Sequence, residues 1–306
     1  MTQWTTSDIP NQRGRTAVVT GPGGLGFEDA LALARAGANV ILAGRNPAKG
    51  EAAATAIRDA VPSAAVRFEF IDLSNLAAVN AFADRLKAQL DGLDLLINNA
   101  GVMTPPNREL TVDGFELQFG ANHLAHFALT AWLMPLLKKG EDARMVSVSS
   151  IAARRGAIDF ENLNAQRDYR PMPAYAQSKL ACLMFALEFQ RRSDAAGWGV
   201  SGIAAHPGIS RTQLLYNTPG GHPHRRLRSA LWFLFQPVAR GALPTLYAAT
   251  AHEAEGGGYY GPDGLAETRG HPAVARIPPA ALDQAAAARL WEMSERLTGV
   301  QFEAQS

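Results

Sequence analysis

Between residues 15 and 205, short runs of β-branched residues alternate strictly with longer runs rich in alanine and leucine. The periodicity predicts strands over 15–20, 39–43, 66–71, 93–98, 144–149 and 199–205, and helices over 27–36, 49–60, 75–90, 113–137 and 174–196. Strand and helix in alternation demand a parallel sheet, because each crossover must carry the chain back to the end where the previous strand began. The expectation is an α/β, doubly wound sheet with helices on both faces, whose ligands lie outside the carboxyl ends of the strands. After Ala205 the alternation stops. A stretch rich in Pro, Gly and His leads to an apolar helix over 229–235, to "GGGYYGPDG", and to a final helix over 279–298. These are read as a C-terminal substrate lid and a closing flank (206–306) on a core over 14–205, all in one domain, 1–306.

The loop at the first strand–helix junction reads "TGPGGLG", residues 20–26. In the pattern G-x-G-x-x-G, Gly21 permits the tight turn, Gly23 admits a pyrophosphate and Gly26 allows close packing of helix on strand, while the helix N-terminus offers unpaired N–H groups to the anion. This is the dinucleotide fingerprint of a Rossmann-type fold. The acid that would hold an NAD ribose, about 20 residues on at the end of the second strand, is missing. The chain reads "VILAGRNPAKG" there, and the guanidinium of Arg45 is suited to a 2′-phosphate. NADP(H) is therefore expected in preference to NAD(H).

Composition removes other classes. With 29 basic and 28 acidic residues the net charge of +1 supplies no field for nucleic acid or an anionic membrane; the one basic cluster, "HPHRRLR" at 222–228, reads as a solvated helix start. A lone cysteine, Cys182, forms no internal disulfide and is read as buried filler. "MTQWTTSDIP" lacks the features of a signal peptide, and no apolar run of about 18 residues marks a transmembrane segment. A cytoplasmic location is expected. His123 and His126 lie three apart, but no third ligand accompanies them, so they are read as packed or exposed side chains and no metal is expected.

From "YAQSK", Tyr175 to Lys179, the chain resembles the short-chain dehydrogenase/reductase family, and the resemblance covers nearly all of it. In the family's order it carries the loop 20–26, Asp72 and Leu73 in "IDLSN", "NNAG" at 98–101, Asn122 in "ANHLAHF", "VSVSS" ending at Ser150, Tyr-x-x-x-Lys, and "HPGISRT" at 206–212. "WTTSDIP", "NHLAHFALT", "SKLACLMFALE" and "GGYYGPDG" look most like its retinol-dehydrogenase-like and protochlorophyllide-reductase-like branch. The family usually writes T-G-x-x-x-G-x-G; this chain is one residue shorter, which implies a loop that uses more backbone and fewer polar side chains.

The resemblance implies that Gly21, Gly23, Gly24, Leu25, Gly26, Arg45, Asp72, Leu73, Asn99, Ala100, Gly101, Tyr175, Lys179, Pro207, Gly208, Ile209 and Thr212 hold the cofactor. Ile209 would bond the nicotinamide carboxamide through its backbone, and Thr212 through its hydroxyl. Asn122, Ser150, Tyr175 and Lys179 form the implied catalytic set: Ser150, in preference to Ser149, donates to the substrate oxygen, and Asn122 anchors a water that relays protons from Lys179. A tyrosine with an ordinary pKa near 10 is a weak base. Lys179, one helical turn after Tyr175 and on its face, supplies positive charge that favours phenolate.

The expected function is an NADP(H)-dependent oxidoreductase interconverting an alcohol and its ketone or aldehyde. Leu214, Leu215, Tyr216, Leu231, Trp232, Phe233, Leu234 and Phe235 point to a bulky hydrophobic substrate; equally, the aromatic "LWFLF" packs on the sheet, at a subunit contact or at a membrane surface. Reduction of a polarised C=C bond, and a non-catalytic NADP(H)-binding sensor or scaffold, are the alternatives. Pairing of family members through the long helices gives a homodimer as the expected assembly.

Overall fold

The structure, a computed structural model, describes residues 3–210 and 236–302. Thr212, the basic cluster, the helix expected over 229–235 and the eight apolar residues named above lie outside the described residues. Seven parallel strands and one antiparallel edge strand form a single sheet in the order β3-β2-β1-β4-β5-β6-β7-β8. The strands are β1 (Thr16–Thr20), β2 (Asn39–Gly44), β3 (Val66–Phe70), β4 (Leu95–Asn98), β5 (Arg144–Val148), β6 (Ser201–Ala205), β7 (Tyr259–Pro262) and β8 (Pro272–Val274). The first six fall where the sequence predicts them. The strand order reverses between β1 and β4, which opens a crevice at their carboxyl ends.

Side-chain alternation divides the core. Val18, Ile41, Leu96 and Met145 face α3 (Leu76–Gln89), α5 (Ala125–Leu137) and α6 (Pro171–Ala196). Their neighbours Ala17, Val19, Val40, Leu42, Ile97 and Val146 face α1 (Leu25–Arg35), α2 (Pro47–Ala60) and α7 (Val238–Thr250). Both faces are covered, so the central strands read as unbroken apolar runs.

Local chemistry sets the helix starts. The Asn46 side chain accepts from Lys49 N–H, with Pro47 as the first residue of α2, and Asn75 accepts from the Ala77 and Ala78 N–H groups at α3. The helix predicted over 113–137 begins later and in pieces. Glu116 caps the short α4 (Leu117–Phe119), which passes through a π-helical stretch, Gly120–Leu124, into α5.

The segment after Ala205 extends the sheet. α7 returns the chain to place β7 parallel to β6, and β8 pairs antiparallel with β7. β7 has four residues, two of them Gly and Pro, so it has no strand periodicity to read. After α8 (Pro279–Leu282), α9 (Gln284–Thr298) lies across α5 and α6: Trp291 meets Phe127 edge-on, with ring centroids 5.0 Å apart, and lies 5.8 Å from Phe185. Among the described residues no helix is long and apolar enough to cross a membrane.

Candidate active site

Thr20, the last residue of β1, joins the two sides of the crevice. Its hydroxyl accepts from the N–H groups of Asn99 (2.9 Å) and Ala100 (3.0 Å), and its carbonyl accepts from the Asn99 side-chain amide (2.7 Å). That hydroxyl also lies 3.0 Å from His126 Nε2, whose Nδ1 lies 3.0 Å from the Asn122 carbonyl. A carbonyl only accepts, so Nδ1 carries the proton and Nε2 accepts from Thr20. Burial, above all, with Lys179 nearby, pushes the imidazole down to about 4 and keeps it neutral. His123, three residues earlier, is also buried but bonds Ser294 on α9 through Nε2 (2.8 Å). Of the two readings the sequence leaves open, packed or exposed, both histidines are packed.

The glycine loop turns against this frame. Gly21 has φ +86°, a conformation side chains disfavour, and donates its N–H to Ala43 O (2.7 Å). A Cβ on Gly26 would stand 2.0 Å from Gly21 O and 2.7 Å from Asn99 Nδ2, so only glycine lets α1 pack this closely on the loop. Nothing lies within 4 Å of the Cβ position of Gly23, which faces open space. Gly24 begins α1 with no side-chain cap, and among the described residues no side chain accepts from the first-turn N–H groups. An uncapped helix start behind an open glycine fits a dinucleotide pyrophosphate. Leu25 is buried in the core, so its contribution is confined to its backbone. Pro22 lies against Gly44, where a Cβ would come within 2.6 Å of its ring; the shortened loop thus occupies the space of a side chain at the end of β2. Arg45, the next residue, is exposed, and no described residue pairs with it.

Asp72 and Leu73 follow β3. The Asp72 carboxylate accepts from the Ser74 N–H (2.9 Å) and hydroxyl (2.7 Å), and Leu73 packs on the core. Asn99, Ala100 and Gly101 line the opposite wall. A Cβ on Gly101 would lie 3.1 Å from Asn122 Oδ1 and 3.4 Å from Lys179 Nζ, so this glycine opens the wall beside both.

Lys179 is buried on α6 and donates from Nζ to Val148 O (2.8 Å), the carboxyl end of β5. Tyr175 stands one turn earlier, half-buried, and no described residue holds its hydroxyl. The two serines after β5 differ. Ser149 is buried and donates to Lys179 O (2.7 Å), which fixes α6 to the sheet, whereas Ser150 is half-buried and its hydroxyl accepts from Ala152 N–H (3.2 Å), capping the turn Ile151–Arg155. That bond leaves the Ser150 O–H free to donate outward.

Asn122 has its side chain fully engaged within the protein. Its side chain accepts from Val102 N–H (2.7 Å) and donates to Val102 O (2.9 Å) and Ser178 Oγ (2.9 Å). Its carbonyl accepts from His126 and from the Cys182 thiol (3.1 Å), so a water on that oxygen would displace the weak S–H donor. Burial raises the Cys182 thiol above its ordinary pKa, which fits filler and not a nucleophile.

At the end of β6, Gly208 has φ +64°. Ile209 donates its N–H to Thr268 O (2.8 Å) and accepts from Gln236 N–H (3.0 Å). Its N–H is thus already committed, and bonding a carboxamide through it requires that bond to be shared or exchanged. Pro207 O accepts from Gln236 Nε2 (2.7 Å) and from the Ser210 hydroxyl (2.9 Å). Ser178, Arg154, Gln236 and Glu267 carry no motif in the sequence, and none marks the role of the Thr20 hydroxyl within the loop 20–26; their partners are mostly remote in the chain.

A family profile described as short chain dehydrogenase matches residues 15–220. Retinol dehydrogenase 13 of Homo sapiens is 42% identical over 295 residues, covering 94% of this chain and 86% of that protein. Polyprenol dehydrogenase of Mus musculus is 40% identical over 298 residues, covering 95% and 86%. The crystal structure of an uncharacterised protein from Mycobacterium paratuberculosis superposes with a TM-score of 0.82 at 41% identity, over 99% of this chain and all of that one. The chain therefore belongs to the short-chain dehydrogenase/reductase family of oxidoreductases, in its retinol-dehydrogenase-like branch.

Proposed function

We propose that the protein is an NADP(H)-dependent oxidoreductase that interconverts a bulky apolar alcohol and its aldehyde or ketone. The observation that carries the reading is Lys179: its ammonium group is seated on Val148 O beside Gly101, one helical turn from an accessible Tyr175. A nicotinamide dinucleotide, when bound, supplies or removes the hydride. Tyr175 gives its phenolic proton to the carbonyl oxygen in reduction and takes it back in oxidation. Lys179 stabilises the phenolate, and Ser150 donates to the same oxygen. Asn122 holds Val102, Ser178 and the π-helical stretch in place behind them. An apolar substrate is supported by the sequence of the lid segment and by the retinol and polyprenol in the names of two relatives.

The test is oxidation of NADPH by purified protein with a panel of aldehydes and ketones, bulky and apolar through small and charged, with the products identified. Bulky apolar carbonyls should give the highest kcat/KM and yield alcohols. Bound cofactor with no turnover, saturation of a C=C bond, or preference for small charged substrates would each count against the reading.

Cofactor preference is assigned to Arg45, exposed past β2 with no internal partner. Arg45→Asp removes a charge-assisted contact with the 2′-phosphate and adds repulsion, a change of ~1.5–3 kcal/mol. The ratio of kcat/KM for NADPH over NADH should fall by roughly 10- to 100-fold; an unchanged ratio would mean that Arg45 points away.

The position of α9 supports a monomeric reading of the assembly. This helix covers α5 and α6 with Leu290 and Trp291, the helices through which the family resemblance suggested pairing. A second copy using the same face would have to displace that apolar helix. Sedimentation at micromolar concentration is expected to give a monomer, and a dimer that persists at low concentration would place the contact on α5 and α6 in doubt as well as the monomer.

A further inference from the structure

The Pro207–Ile209 turn, the nicotinamide side of the crevice in the reading above, rests on a second turn that no family motif marks. His206, at the end of β6, is fully buried. Its Nδ1 accepts from Gly208 N–H (3.2 Å), so the proton sits on Nε2, which donates to Glu267 Oε2 (2.8 Å). Gly261 makes room for the ring, since a Cβ there would stand 2.1 Å from Nε2. The same Glu267 oxygen pairs with the Arg154 guanidinium, and Arg154 also donates to Ala266 O (3.0 Å). The other Glu267 oxygen accepts from Arg276 N–H (3.0 Å). The next residue, Thr268, accepts the Ile209 N–H, and a Cβ on Gly208 would meet Thr268 O at 2.4 Å.

Two further observations mark this turn. Ala266 and Glu267 have φ of +51° and +57°, left-handed conformations that cost non-glycine residues about 1 kcal/mol or more and persist only where the surroundings enforce them. Arg154 belongs to the turn Ile151–Arg155 that Ser150 caps. The carboxylate of Glu267 therefore contacts both Arg154, in the turn that Ser150 caps, and His206, which leads into Pro207–Ile209.

We propose that Glu267 is a positioning residue, which locks the nicotinamide-side turn to the turn of the proton-donating serine and so sets the placement of the cofactor's reactive end. Burial alone would raise the Glu267 carboxyl, but the bonds from His206 and Arg276 and the charge of Arg154 outweigh it and hold the group at about 2, ionised throughout the working range. Burial keeps His206 below its ordinary pKa, against the pull of Glu267, so the link is a neutral imidazole donor on a fixed anion. Removing the carboxylate leaves the His206 N–H without its acceptor and Arg154 without its anion, and a misplacement of the order of 1 Å at the reacting atoms costs roughly 100-fold in rate.

The inference rests on the assignment of Pro207–Ile209 to the nicotinamide end, and binding separates the two. Glu267→Ala and Glu267→Gln are made in the full chain, and dissociation constants are measured for NADPH and for 2′,5′-ADP, which carries only the adenine half. Glu267→Ala should weaken NADPH roughly tenfold or more and lower kcat at saturating cofactor by a similar factor, with 2′,5′-ADP unaffected; Glu267→Gln, which still accepts from His206, should recover part of both. Equal weakening of the two ligands would reduce Glu267 to a merely structural role, and wild-type behaviour in both variants would overturn the inference outright. Should Glu267→Ala not fold, Glu267→Gln alone decides by the same comparison. Failure of wild-type protein to bind NADPH or NADH would instead overturn the cofactor reading.

Discussion

Tyr175→Phe is expected to lower kcat for carbonyl reduction by ~10²–10⁴-fold while leaving the affinity for NADPH within about twofold of wild type. The substitution removes one oxygen and keeps the ring. No described residue holds that hydroxyl, and the residue is only half-buried, so neither an internal hydrogen bond nor core packing is lost. The unfolding midpoint should stay nearly unchanged. The loss is confined to the step in which the substrate oxygen takes a proton, for which water and the Ser150 hydroxyl are poor substitutes. Lys179→Met should be more complex, because Nζ is also bonded to Val148 O and lies beside Gly101: its removal alters charge, the β5 terminus and the cofactor wall together. A Tyr175→Phe protein that keeps more than a tenth of wild-type turnover would remove Tyr175 from the chemistry. One that loses cofactor binding as well would show that the hydroxyl serves to hold the ligand.

The parts of the site legible in the sequence are those fixed by local chemistry. The six strands of the core follow from short apolar runs. The loop 20–26 follows from the need for positive φ at Gly21 and for no Cβ at Gly26, both of which the structure bears. What stayed hidden depends on distant partners. Glu267 touches His206 and Arg154 across separations of 61 and 113 residues, and no spacing rule connects them. Thr20 reads as the last β-branched residue of a strand, yet its hydroxyl joins β4, Ala100 and His126. Asp29, near the start of α1, is fully buried, and among the described residues neither carboxylate oxygen has a hydrogen-bond partner. Burial, reinforced by Glu28, raises its pKa well above the ordinary value. β7 and β8 escaped because four and three residues carry no periodicity, and no spacing in the sequence shows that α9 folds back over α5 and α6.

The protein should lose stability steeply between pH 6.5 and pH 4, and buried histidines should account for most of that loss. Burial is the leading cause that pushes His123 down to about 3 and His126 down to about 4; mutual repulsion adds to it for His123, and Lys179 adds to it for His126. An imidazole titrates near 6.5 in the unfolded chain, so between that pH and the folded value the unfolded state binds the proton and the native state does not. The contribution is therefore complete above pH 6.5 and is lost as the pH falls toward 4. At pH 5 it amounts to about 2 kcal/mol for each histidine. Two such losses are a large part of the ~5–15 kcal/mol that holds a domain folded. Lowered His206 acts in the same direction, whereas Asp29 and Glu116, both raised chiefly by burial, act in the opposite one, gaining stability as the pH falls. Those opposing groups are common to wild type and variant, so a difference measurement isolates one histidine. His123→Phe keeps a ring among Phe119, Phe127 and Phe185 and removes only the bond to Ser294 and the titration. Urea unfolding of both proteins at pH 7.5, 6 and 5 should show the variant less stable than wild type, or equal to it, at pH 7.5, with the gap closing or reversing by about 2 kcal/mol at pH 5. A constant gap would mean that His123 takes up its proton in the folded protein without cost. Activity should fall with the same pH dependence as folding, because protonation of His126 would remove the acceptor at Nε2, force the Thr20 hydroxyl to turn its proton to Ile97 O, and so disturb the joint between β1 and β4 on which the cofactor loop stands.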